Sequence, residues 1–105
     1  MRKKDLTLKE QEVWKWIKKK LREQKLTGYD IRIVKRIPVK GGKKCFAYSV
    51  GIKKMFLHRD VLKLPKWKAL EIVVHEIMHK KLWTTNESYV QSQTLKLIKA
   101  MKERE

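Results

Sequence analysis

The sequence predicts an α+β domain in which helices cover a small sheet. Apolar residues recur four apart in the first stretch, alternate with polar ones over three short stretches, dominate one longer stretch, and then line one face of the last stretch. The order is therefore helix, three strands, helix, helix, with strands and helices segregated along the chain. We expect a single domain over residues 1–105, because this length suits one compact unit and contains neither repeat nor linker.

The first helix, a backing helix for the sheet, is predicted from Thr7 to Lys25. Thr7 followed by Glu10 forms a capping box at its start, and Thr27-Gly28 ends it. Its apolar stripe consists of Val13, Ile17 and Leu21, with Trp14 beside them.

The sheet is predicted as a three-stranded, mostly antiparallel meander. Its first strand runs from Tyr29 to about Ile37, and a connection containing Pro38 and Gly41-Gly42 leads to a second strand around Tyr48. The third strand is predicted from Lys54 to His58. Within it Met55 and Leu57 lie on one face, and Phe56 and His58 lie on the other.

Two helices complete the predicted fold. Pro65 suits the first position of a helix, and the stretch from Ala69 to Leu82 is apolar on nearly all sides, which indicates a buried central helix. Thr84-Thr85-Asn86 ends it, and a last helix is predicted from Glu87 to about Lys102.

The chain is strongly basic, with a net charge of +17 and a pI near 10.2. Lysine supplies most of this charge and is spread over the whole sequence, as in the lysine-rich surfaces of heat-adapted proteins. Arginine, which reads bases and phosphates better, is scarce. Nucleic-acid binding is thus expected to be non-specific and salt-sensitive.

Other classes of protein are excluded by what the sequence lacks. Cys45 is the single cysteine, which rules out an internal disulfide and cysteine-rich zinc sites. No apolar run reaches the roughly 18 to 20 residues of a membrane span, and no apolar segment follows the basic N-terminus as in a signal peptide. We therefore expect a cytoplasmic protein.

The central helix carries the motif His75-Glu76-x-x-His79. Residues four apart lie about 40° apart around a helix and about 6 Å along it, so both imidazoles can bind one zinc ion. Glu76 can hydrogen-bond a zinc-activated water without ligating the metal, which suits a general base in peptide hydrolysis. Two buried, hydrogen-bonded histidines are the alternative, but burying them beside a glutamate is unfavourable without a partner.

Two residues are candidates for the third zinc ligand. Glu87 lies past the break, at the start of the last helix and on its inner face, so a reversal of the chain can return it to the histidines. Glu87 also suits a capping box with Thr84, in which case it only stabilises the helix start. His58 is the other possible ligand. His58 and Tyr89 are also candidates for oxyanion stabilisation or for the rim of a cleft.

These residues resemble the gluzincin zinc metallopeptidases. The size and order of elements are similar to the minigluzincins, single-domain archaeal proteins related to the catalytic domains of membrane metallopeptidases such as the CAAX prenyl proteases. The resemblance implies one zinc ion held by His75, His79 and Glu87, with Glu76 as general base and acid. It also implies peptide or unfolded protein substrates.

Two further expectations come from this resemblance. The strand Lys54 to His58 would form the upper rim of the cleft and pair with an extended peptide, which makes Met55, Phe56, Leu57, His58 and Tyr89 candidate substrate contacts. The protein would be latent, with self-inhibition or self-association through the terminal segments Met1 to Asp5 and Lys102 to Glu105.

A basic binding module is the competing hypothesis. Spartan/SprT-type proteases share His-Glu-x-x-His and act on DNA-bound proteins, but they take a third histidine after the motif. No histidine follows His79 in this sequence. If the protein is a basic binding module, any metal that it binds is structural.

Overall fold

The computed structural model describes residues 6–35 and 47–104, with residues 48–50 described by their backbone alone. Within these residues, three α-helices and three strands follow one another in the predicted order, and a 3-10 helix that the sequence analysis does not predict precedes the second α-helix. Their bounds are α1 Leu8–Glu23, β1 Asp30–Val34, β2 Ala47–Val50, β3 Lys54–His58, the 3-10 helix Arg59–Lys63, α2 Lys66–Lys81 and α3 Glu87–Glu103. The predicted connection through Pro38 and Gly41-Gly42, like Cys45, lies outside the described residues.

The sheet corrects the predicted meander. Its strand order is β1-β3-β2, and β1 pairs with β3 in parallel, with Ile31 opposite Met55 and Ile33 opposite Leu57. Among the described strands, the antiparallel pair is β2 with β3. A mostly antiparallel sheet was therefore the wrong prediction, although the α+β class stands. Strands that are neighbours in sequence, β1 and β2, do not pair.

Burial explains why β3 is the middle strand. Met55 and Leu57 are completely buried, whereas the residues between them are partly exposed, so β3 has the alternating pattern that the sequence predicts. Placing this strand between two others satisfies its backbone on both sides. The expected role of β3 as a cleft rim is consequently wrong, because an added peptide needs an unpaired strand edge.

The start of α1 agrees with the predicted capping box. The backbone N–H of Glu10 donates to Thr7 Oγ1 at 3.1 Å, and the backbone N–H of Thr7 donates to Glu10 Oε1 at 2.9 Å. Glu10 also accepts two hydrogen bonds from Arg59 in the 3-10 helix, at 2.9 and 3.0 Å. One carboxylate thus joins the first turn of α1 to the segment before α2.

Helix α2 is central but not buried all round. One face is fully packed, and it consists of Ala69, Leu70, Val73, Val74, Ile77 and Met78. The opposite face, which carries Ile72, His75, Glu76 and His79, is partly exposed. Pro65 is the N-cap of this helix and not its first residue. The three polar side chains of the motif therefore face outward from the core.

The helices also meet through an aromatic pair. The Trp16 ring of α1 and the Trp67 ring of α2 pack edge to face with centroids 5.0 Å apart. Lys102 Nζ lies 5.5 Å from the centre of the Trp67 ring. Among the described helices, none has both the length and the apolar character that crossing a membrane requires.

Candidate metal centre

The two histidines of the motif converge on one point beside α2. His75 Nε2 and His79 Nε2 are 3.2 Å apart, and both side chains are 19% exposed. The spacing of four residues produces this geometry locally, because it returns the second side chain to the face of the first after one turn. Only the face of α2 that is not packed on the core could carry such a pair without loss of apolar burial.

Glu87 completes a cluster with these two histidines. Its Oε2 lies 2.8 Å from His75 Nε2, and its Oε1 lies 2.9 Å from His79 Nε2. Asn86, not Thr84, is the N-cap of α3, and its side-chain oxygen accepts from the backbone N–H of Tyr89. The structure therefore brings Glu87 to the histidines and leaves capping to its neighbour.

Each imidazole is oriented by a second contact. His79 Nδ1–H donates to the carbonyl oxygen of Thr84 at 2.9 Å, and His75 Nδ1–H donates to the amide oxygen of Gln91 at 2.8 Å. A ring with a single proton on Nδ1 presents a lone pair at Nε2. An outer hydrogen bond of this kind is the usual companion of a metal-ligating histidine.

The cluster is thus an assembly of acceptors. Two imidazole lone pairs and a carboxylate face one another at 2.8 to 3.2 Å. Acceptors this close repel one another unless a cation lies among them, either a proton on one ring or a metal ion. His75, His79 and Glu87 are the three residues that can hold a metal ion here, each offering one ligand atom.

The electrostatics of Glu87 suit a ligand. Its contact with the His75 imidazole is the largest influence on the carboxyl group, and together with the nearby His79 it holds the pKa of Glu87 below its ordinary value. The side chain is 72% exposed. A carboxylate that stays ionised and open to solvent is accessible to an ion from outside.

Glu76 lies beside this cluster without belonging to it. It lines an open cavity of about 520 Å³ that His79 and Glu87 also line. It also lines a smaller cavity next to His75 and Gln91. Its position one residue after His75 thus places it at the border between the metal centre and the space that a ligand can enter.

The other predicted site residues are elsewhere. His58 caps the 3-10 helix, where its Nδ1 accepts from the backbone N–H of Asp60 at 2.9 Å, and it does not join the cluster. Met55 and Leu57 are core residues. Phe56, in the middle strand, and Tyr89 are not among the described residues that line the larger cavity.

Two residues of the site escaped the sequence analysis. Gln91 follows Glu87 by four positions on α3, so its helical spacing could have placed it on the same face. The carbonyl oxygen of Thr84 had no comparable signal, because any residue supplies a carbonyl and only the loop conformation aims it at His79.

Comparisons of the chain with models of known protein families, with curated proteins and with solved structures found no match. The candidate metal centre therefore rests on the geometry of this chain: two imidazoles four residues apart on α2, and a carboxylate brought back to them by the turn into α3.

Proposed function

We propose that the protein is a zinc-dependent peptidase in which His75, His79 and Glu87 hold one zinc ion and Glu76 acts as general base and acid. The observation that carries the proposal is the convergence of two imidazole nitrogens and the two oxygens of one carboxylate, with contacts of 2.8 to 3.2 Å, beside a cavity that Glu76 lines. The resemblance of His75-Glu76-x-x-His79 to the gluzincins supports the same assignment.

The donor set fits zinc in number and kind. Catalytic zinc sites use three protein ligands, commonly two histidines and one carboxylate, and leave a position open. Bond lengths of 2.0 to 2.1 Å with tetrahedral angles place ligand atoms about 3.3 Å apart, close to the spacing within this cluster. When bound, zinc supplies a Lewis acid and lowers the pKa of a water in its open position to about 7.

The residues around the proposed zinc site orient its ligands and transfer protons. Gln91 and the Thr84 carbonyl hold the imidazoles in the orientation that presents Nε2. Glu76 borders the cavity and can accept a proton from water and return it to the leaving amine. A peptide enters through the open side of the cavity, where Glu87 is exposed.

For the substrate class and for latency, we keep the expectations from the sequence. Peptides or unfolded proteins suit an open cavity better than folded domains do, because an extended backbone can reach the ion. The terminal segments are candidates for self-inhibition. Met1 to Asp5 and Glu105 lie outside the described residues, while Lys102 lies against Trp67 and does not line the cavity.

The test compares the wild type with Glu76→Gln. We expect both to bind one zinc ion per chain after dialysis, and the wild type to cleave an unfolded protein such as reduced casein. Removal of the general base should lower the rate about 10²- to 10⁴-fold while zinc remains bound. A wild type that retains zinc but cleaves no member of a peptide library, even after trimming of both termini, would refute the peptidase.

The basic charge supports a second candidate, a nucleic-acid-associated module with a structural metal. The Trp16–Trp67 pair has Lys20 and Lys66 Nζ atoms 4.9 to 5.8 Å from its ring centres, and aromatic rings among cations suit nucleic-acid binding. This function requires duplex or single-strand binding that persists at physiological salt. Binding that disappears between 50 and 200 mM salt, as a rough range for charge alone, would leave only non-specific attraction.

A further inference from the structure

We propose that Trp83 and Ile52 form an apolar subsite next to the metal centre that receives a large apolar side chain of a peptide. The inference rests on the proposed function and names the substrate class of the same site. It is carried by two exposed apolar side chains on opposite loops and by the backbone conformation of Trp83.

The two residues lie on different loops that border one cavity. Ile52 is in the turn between β2 and β3, and Trp83 follows Leu82, the C-cap of α2. Both line the cavity of about 520 Å³ that His79 and Glu87 also line. A side chain bound between them consequently brings its own backbone next to the metal centre.

Both loops are attached to the last turns of α2. Lys80 Nζ donates to the carbonyl oxygen of Gly51 at 2.6 Å, which holds the β2–β3 turn against the helix. His79 Nδ1–H donates to the carbonyl oxygen of Thr84 at 2.9 Å, which holds the loop after Trp83. The two walls of the subsite are therefore positioned before any ligand binds.

Trp83 is unfavourable in the free protein for two reasons. Its side chain is 79% exposed, and Ile52 opposite is 62% exposed, so neither contributes much to the core. Its φ of 52° lies in the left-handed region, which glycine normally occupies after the end of a helix. A strained, exposed indole at the border of a cavity is explained if the indole contacts a ligand.

The charge of the protein surface predicts which residues flank the apolar residue in the bound peptide. Within the cavity the ammonium of Lys80 lies with the carboxylates of Glu76 and Glu87, the latter a proposed zinc ligand, while outside it Lys81 and the net charge of +17 make the surrounding surface basic. Acidic residues beside the bound side chain would be attracted to this surface, and basic ones repelled. The occupant is accordingly a peptide with a large apolar residue flanked by acidic residues.

The experiment measures binding without turnover. A dye-labelled peptide with one central Phe between Glu residues is titrated into zinc-loaded Glu76→Gln protein, and anisotropy gives its Kd. Adding Trp83→Gly should raise this Kd about tenfold, the effect of removing a central aromatic anchor. The tryptophan emission should change on binding and lose most of that change in the Trp83→Gly protein.

Control variants and measurements distinguish an effect of the Trp83 indole on peptide binding from an effect on folding. Trp83→Gly should keep zinc affinity and Tm, because glycine favours the left-handed conformation, and Ile52→Ser should weaken binding through the opposite wall. Leu8→Ala, which removes an apolar side chain that is 80% exposed and does not line the cavity, should not alter the Kd. A peptide with central Ala should bind the parent and Trp83→Gly proteins equally.

The outcomes distinguish this inference from the peptidase. Unchanged binding of the Phe peptide to Trp83→Gly protein, or a fall in its zinc affinity or Tm, overturns the subsite and assigns the indole a structural role. Cleavage by the wild type with no preference for apolar residues overturns the subsite and supports the peptidase. Trp83-dependent binding without any cleavage supports the subsite and refutes the peptidase.

Discussion

Two glutamates at the starts of helices have opposite environments. Glu10, in the first turn of α1, has a side chain that is 4% exposed and accepts hydrogen bonds from Thr7 and from both arms of the Arg59 guanidinium. Glu87, the first residue of α3, has a side chain that is 72% exposed and faces two imidazole nitrogens. Position in the helix is nearly the same, but the partners differ.

The difference separates a structural carboxylate from a candidate metal ligand. Glu10 meets permanent donors that carry their own positive charge, so its negative charge is compensated within the folded chain. Glu87 faces two imidazoles whose Nδ1–H groups donate elsewhere, to Gln91 and to Thr84, so its charge is compensated by a further proton on one ring or by a metal ion. The partners of Glu10 donate hydrogen bonds to it and stabilise the fold. The partners of Glu87 leave a position between them that a metal ion can occupy.

Removing a ligand should have the largest effect. We expect His75→Ala or His79→Ala to weaken zinc binding by more than the roughly 10- to 100-fold that loss of an outer hydrogen-bond partner causes. Zinc should raise the Tm of the wild type, since the site joins α2 to α3, but not that of either variant. Zinc affinity is measured by competition with a chelating dye. His58→Ala is the matched control, and an equal loss there would contradict the assignment.

The structural glutamate should affect stability in a pH-dependent way. The Arg59 hydrogen bonds, followed by those with Thr7, lower the pKa of Glu10 from 4.5 to about 2. This difference corresponds to roughly 3 kcal/mol of stability, fully present above pH 4.5 and lost progressively as the pH falls to about 2. Urea unfolding of the wild type and Glu10→Gln should therefore differ at pH 7 and converge towards pH 2.

A control for this measurement exists in the exposed pair Arg32–Asp30, whose atoms are 3.3 Å apart and whose side chains are 59% and 53% exposed. Exposed pairs of this kind contribute only about 0.2 to 1 kcal/mol, so Asp30→Asn should change stability much less than Glu10→Gln does. A difference between the wild type and Glu10→Gln that does not shrink at low pH would mean that the Arg59 contact is not its source.

The smallest effect should come from the outer partner Gln91. Replacing it with Ala removes the acceptor for His75 Nδ1–H while all three ligand atoms remain. Zinc affinity should fall about 10-fold and no more than about 100-fold. Gln93→Ala, two positions along α3 and absent from the site, tests whether the loss is specific. Affinity equal to that of the wild type would remove Gln91 from the centre.

Local patterns in the sequence predicted most of the helices and strands, and they predicted the pair of histidines in the candidate metal centre. The capping box of Thr7 and Glu10, the alternating burial of β3, and the pairing of His75 with His79 each depend on residues within four positions of one another, and the structure contains all three. Contacts over such short distances in sequence follow from helix and strand geometry alone. The expected strand pairing failed, because hydrogen-bond partners of a strand are chosen by burial across the whole domain.

The sequence by itself therefore determined where the helices and strands form and that two imidazoles share one face of α2. Tertiary structure alone decided that β3 lies between β1 and β2, that Glu10 meets Arg59, 49 residues away, and that Glu87 reaches the histidines while Asn86 caps α3. The physical reason is the same in each case. A carboxylate or a strand edge has several chemically equivalent partners, and only the packing of distant segments selects one of them.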